Sequence, residues 1–144
     1  MGNETSSRNQ SHYIIMTVIY NELIDFNFSE NKYERNAIEM LTDMYAEKGE
    51  DVDPYAIKVV VSALQNYGEI VNAFTPYLVK WKWERLPLLT QSILLMSYSH
   101  FYYVENDVDK AVIIDIAVNL AKRYIDDKQA KFINGILDNG VLKR

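Results

Sequence analysis

The sequence predicts an all-α fold, one compact bundle of about seven helices in a single domain spanning residues 1–144. Three observations predict it. Apolar residues recur at steps of three and four along almost the whole chain, the period of one helix face. Glycine (5) and proline (3) are scarce among 144 residues, about half their usual combined share of roughly 12 %, and a β-rich domain needs more of both for its turns. The length matches a domain of about 100 to 150 residues, and a hydrophobic content of 49 % is enough to fill its core.

The first helix is expected from about Asn9 to Phe26, with residues 1–8 ahead of it as a flexible arm. The second runs from about Glu30 to Glu47, and a short acidic linker, Lys48 to Val52, follows. The clearest run is Ala56, Val59, Val60, Ala63, Leu64, Tyr67, Ile70, Val71 and Phe74. Asp53 caps it and Pro54 opens it, because a carboxylate satisfies free amide groups there and proline has none to lose. Thr75 and Pro76 start a short helix that reaches about Trp83. The next helix, Pro87 to Val104, lies in a stretch without formal charge, Leu86 to Val104. Such a length raises the question of a membrane span, but Thr90, Gln91, Ser92, Ser97, Ser99 and His100 interrupt it, so a central helix buried on most faces is expected and no membrane contact. A further run, Val112, Ile113, Ile116, Ala117, Leu120, Ala121 and Tyr124, is capped by Asp107. The last helix extends from about Asp127 to Asn139, started by Asp126 with Gln129 three residues on. Gly135 inside it costs about 1 kcal/mol relative to alanine, and a close helix crossing at that point is the expected reason.

Most chemistry is excluded by what is missing. Without cysteine there is no disulfide, thiolate metal site or thiol nucleophile. His12 and His100 are the two histidines, and neither has glutamate three residues earlier, so the di-iron bundle motif is absent. The five glycines never form a phosphate loop, and the acid pairs Asp51 and Asp53, Asp107 and Asp109, and Asp126 and Asp127 sit at helix starts, where carboxylates favour the helix dipole. The expectation is a binding protein rather than an enzyme, with no cofactor and no metal. The first residues show no basic-then-apolar leader, which predicts a cytoplasmic protein.

Binding features concentrate in the C-terminal half. Residues 1–60 hold 5 basic and 11 acidic residues, a net −6, whereas residues 61–144 hold 10 and 9, a net +1. A polyanion meets the second half more readily. Two basic groups lie there, Lys80, Lys82 and Arg85 beside Trp81 and Trp83, and Lys122, Arg123, Lys128 and Lys131 beside Phe132. The second is the better RNA candidate, because cations around an aromatic ring serve phosphate and base together. The aromatics Tyr98, Phe101, Tyr102 and Tyr103 fall within six residues. One core is not expected to absorb them all, which predicts that some form a partner-binding patch.

The order and spacing of several elements then point to a family. Phe132-x-Asn134-Gly135-x-Leu137-Asp138, preceded by Asp107-Val108-x-x-x-Val112-x-Ile114 and Ala117-Val118-x-Leu120-Ala121-Lys122, with Trp83-x-Arg85-Leu86 and Ile93-Leu94 upstream, resembles the NusB family of transcription antitermination factors. The resemblance covers about Trp81 to Asp138. It implies an all-helical fold in two halves, a place in the transcription complex, a complex with the ribosomal protein NusE, and binding to boxA-type RNA. The family's arginine-rich arm falls on Arg8, Asn9, Gln10, Ser11 and His12, so one arginine remains and weak RNA binding is expected, since each lost cation removes about one phosphate contact. Tyr20, Lys131 and Phe132 keep the family's RNA-facing residue types. With the basic group, the implied RNA set is Arg8, His12, Tyr20, Lys122, Lys128, Lys131 and Phe132. On the partner face the chain reads Leu95 to Phe101 with His100 where an acid is usual, and Asp115-Ile116 replaces an Asn-Glu pair. The partner set is Tyr98, Ser99, His100, Phe101, Tyr102 and Tyr103. The alternative is a NusB-fold interaction or dimerisation module, a homodimer among its forms, that has lost RNA binding.

Overall fold

The computed structural model describes the backbone of residues 2–25 and 32–143 and the side chains of residues 10–25 and 35–143. Among the described residues there are seven α-helices and no strand: α1 (Gly2–Ile24), α2 (Lys32–Glu47), α3 (Pro54–Gln65), α4 (Tyr67–Phe74), α5 (Leu88–Ser99), α6 (Lys110–Tyr124) and α7 (Asp127–Ile136). The first helix starts well before Asn9, and the expected boundaries at Phe26 and Glu30 lie outside the described residues.

The charge-free helix is the centre of the molecule. In α5 every residue from Thr90 to Ser97 is buried, as is Ser99. The α1, α2 and α3 helices pack mutually as one group, α6 and α7 as another, and α5 touches members of both. Burying hydroxyl and amide groups is costly unless each finds a partner, about 1–3 kcal/mol for each one left unpaired. Here each does. Ser92 Oγ donates to the Met16 carbonyl at 2.6 Å, Ser99 Oγ to the Val59 carbonyl at 2.8 Å, and Thr90 Oγ1 to Gln129 Oε1 at 2.8 Å. Gln91 Nε2 donates to the carbonyls of Trp83 and Leu86, at 3.1 and 3.0 Å. These bonds tie α5 to α1, α3, α7 and the segment before it, which explains a polar helix at the centre of a core. No helix among the described residues is long and apolar enough to cross a membrane.

Three elements differ from the sequence reading. The continuous run from Ala56 to Phe74 is two helices, broken at Asn66, whose side-chain amide donates to the Ser62 carbonyl at 2.8 Å. Asparagine side chains compete with the helix ladder in this way, and α4 starts anew at Tyr67. The short helix expected from Pro76 to Trp83 is instead two single turns, Thr75–Tyr77 and Trp83–Arg85, with extended backbone at Lys82. Tyr77 and Leu78 at one end of this stretch and Trp83 at the other reach the core, while Val79 and Trp81 between them are exposed. The cap of α6 is Asp109, not Asp107.

The start of α7 is as expected: Asp126 Oδ1 accepts the Gln129 amide at 2.7 Å. Asp126→Ala should cost about 1 kcal/mol, seen as a lower urea midpoint with an unchanged slope. An unaltered midpoint would mean that the cap carries no stability.

Candidate nucleic-acid interface

The α7 helix sets the geometry of the site. Its inner face buries Ala130, Ile133 and Ile136, and the helical period then turns Lys128, Lys131 and Asn134 outward, with Phe132 half-buried between the two faces. Three hollows run along this outer side. A cleft is lined by Trp81, Arg85, Leu86, Pro87, Lys128, Gln129 and Phe132. The next is lined by Tyr77, Lys131, Phe132, Gly135, Ile136, Asn139 and Gly140. A third, between α6 and α7, holds Lys122 and Lys131 with Asp127 and Asn134. Lys122, Lys128, Lys131 and Arg85 are all exposed, so phosphates can reach each of them. Beside the second hollow, Lys143 Nζ lies 5.7 Å from the Tyr77 ring centre, and its contact with the Tyr77 hydroxyl raises its pKa, which keeps it charged.

Four of the proposed RNA residues, Lys122, Lys128, Lys131 and Phe132, therefore share one surface. The structure also joins to it a part of the first basic group, Trp81 and Arg85, while Trp83 is core, its Nε1 donating to the Tyr67 hydroxyl at 3.1 Å. Proximity of residues 81 and 132 is tertiary, and no local spacing could show it. Arg123 leaves the group: it lines a different hollow with Tyr13, Asp115 and Tyr124, its guanidinium 5.6 Å from the Tyr124 ring centre. His12, expected in the arm, is buried, with ring centres 6.1 Å from Tyr55 and 6.4 Å from His100. A buried imidazole is a poor phosphate contact. Tyr20 is half-buried on α1. The Arg8 side chain lies outside the described residues.

The aromatic cluster is divided between core and surface. Phe101 is fully buried, His100 and Ser99 are buried, and Tyr98, Tyr102 and Tyr103 are half-buried against the core. The core takes in Phe101 and one side of each tyrosine because α5 widens after Ser99 into a π-turn, His100–Val104, closed by the Glu105 amide on the His100 carbonyl at 3.0 Å. The wider turn fans the side chains toward different neighbours. Tyr98 stacks 4.5 Å from Tyr102 and 6.0 Å from Phe74, centre to centre. Tyr102 donates to the Val141 carbonyl at 2.7 Å. Tyr103 donates to Glu69, and burial first, then that carboxylate, raises its pKa. His100 sits between the Tyr55 hydroxyl, 3.1 Å from Nδ1, and Glu105 Oε1, 3.2 Å from Nε2.

Gly135 departs from the close helix crossing expected of it. A Cβ built there meets nothing within 4 Å, so among the described residues no helix crosses at that point. The crowded glycine is Gly140, in the π-turn Leu137–Val141 that follows α7, where a Cβ would fall on the Tyr77 ring.

An all-helical domain in two groups around a buried central helix, with a basic and aromatic face on its last helix, defines a helical binding module. The NusB family model matches residues 6–141, and the chain belongs to the NusB family. It is similar to the transcription antitermination protein NusB of Bacillus licheniformis, 34 % identical over 95 residues, 66 % of this chain and 73 % of that protein. The protein of that name from Bacillus subtilis is 33 % identical over 90 residues, 62 % of this chain and 68 % of the other. Among solved structures, T. maritima NusB has the same fold, with a TM-score of 0.75, 24 % identity, and coverage of 94 % of this chain and 93 % of that one. The helical fold implied by the resemblance is thus the fold observed.

Proposed function

We propose that this protein is a transcription antitermination factor that binds single-stranded RNA of the boxA type through the outer face of α7, in a complex with the ribosomal protein NusE. It acts by binding and not by catalysis, in the cytoplasm where transcription takes place. The names of its relatives support the transcription role. The observation that carries the RNA reading is Phe132, a half-buried ring bracketed by exposed Lys128, Lys131 and Arg85. A ring fixed on one side by the core stacks a base without losing freedom, and cations at both ends meet the adjoining phosphates. The alternative of a module without RNA binding is not favoured, because these cations and the ring share one exposed surface. Partner binding by the aromatic cluster narrows to the outward edges of Tyr98, Tyr102 and Tyr103.

The test is a titration with a boxA-type RNA at several salt concentrations, with and without cognate NusE. Phe132→Ala should weaken binding by about 1–3 kcal/mol, the worth of one stacked base. Replacing Lys128 and Lys131 by glutamine should flatten the logarithmic salt slope by about 1.4 units, since each phosphate contact on a single strand contributes about 0.7. Absence of RNA binding at low salt with NusE present would sink the reading.

A further inference from the structure

Gly135 is energetically odd. It stands inside α7, where glycine is the least favourable residue apart from proline, and among the described residues nothing lies within 4 Å of a Cβ built there. That space opens to solvent through a hollow walled by Tyr77, Lys131 and Phe132. On the other side of the same phenylalanine lies the cleft walled by Trp81, Arg85 and Lys128. The two have volumes of about 310 and 260 Å³, close to the lower bound of ligand pockets, about 300–1,000 Å³. Trp81 is 56 % exposed although tryptophan is among the most buried side chains on average.

We propose that these two hollows are successive base sites of one RNA strand: Phe132 is the shared wall, Trp81 stacks the base in the cleft, and the bare Cα of Gly135 admits the next base. This deepens the RNA reading above and rests on it. A strand crossing Phe132 keeps its phosphates outside, where Arg85 and Lys128 flank one site and Lys131 the other, so each base pocket has its own cation. A base lying on glycine packs against backbone, which any side chain at that position would prevent. Trp81 and Gly135 are therefore the residues that decide how many bases α7 holds, and Phe132 alone holds one.

The experiment fills the hollow without replacing a cation or a ring. Gly135→Leu should leave the urea midpoint equal to wild type or higher, because leucine favours a helix and its Cβ meets nothing within 4 Å, while RNA affinity falls at least tenfold. Trp81→Ala should lower affinity by a similar factor, and Trp81 fluorescence should be quenched on binding, with buried Trp83 unaffected in that variant. An RNA series with one base removed at each position in turn should show at least one position that matters to wild type and ceases to matter to Gly135→Leu. Wild-type affinity in Gly135→Leu, or a lowered urea midpoint, overturns the inference. If Phe132→Ala weakens binding and neither Gly135→Leu nor Trp81→Ala does, the RNA reading stands and the two-base site falls. If wild type binds no RNA, both fall together.

Discussion

Phe101→Ala is expected to cost about 3–5 kcal/mol, the range for removing a buried phenylalanine and leaving part of its volume empty. Total stability of a domain is about 5–15 kcal/mol, so the variant should retain a fraction of it at best. The reason lies in the π-turn. Phe101 is wholly inaccessible, its ring centre is 4.8 Å from that of Tyr102, and it belongs to the same core as α5. Urea unfolding followed by circular dichroism measures the loss. A loss under about 1 kcal/mol, well below the core range, would mean that the rings of this turn serve a partner and not the fold.

Gly140→Val is expected to be the second large loss, about 1–3 kcal/mol or more, the cost of forcing extra carbon into a packed site. Its Cβ would land on the Cδ1–Cε1 edge of Tyr77. The backbone of a π-turn cannot easily retreat, since its closing amide, Leu142, is bonded to the Leu137 carbonyl at 3.2 Å. Tyr77→Ala alone should also destabilise, yet the double variant should be more stable than the two losses added together, because the ring that clashes has gone. Simple additivity in that cycle would place the damage elsewhere.

Much of the fold was legible because helix periodicity is a local property. The buried run of α3, the central place of α5 and the Asp126 cap of α7 each follow from residues within one or two turns of each other. What was not legible depends on partners distant in sequence. Asn66 breaks a run whose apolar period continues through it, since the period records which face is buried and not whether the axis bends. Four rings near His100 read as too many for one stripe, and would be, had the helix kept its ordinary pitch. At the site, the lysines of α7 and Phe132 could be chosen from composition alone. Arg85 and Trp81 join them only because the chain folds back before α5, and Gly135 reveals an opening only once its neighbours are known.

The hydroxyl of Tyr102 holds the backbone at two points, donating to the Val141 carbonyl at 2.7 Å and accepting the Lys143 amide at 3.0 Å. Leu137, Val141 and Leu142 are buried around this clasp. A chain leaves the ribosome N-terminus first, so α5 and its π-turn emerge well before the residues that close over them. Until residues 137–143 are free of the exit tunnel, the centre of the domain lacks its lid and Tyr102 faces water. Residues 137–143 thus close over a core whose other members precede them in the chain. Nascent chains arrested just short of Leu137 should present the aromatic cluster to chaperones, and release of a few more residues should end that exposure in one step.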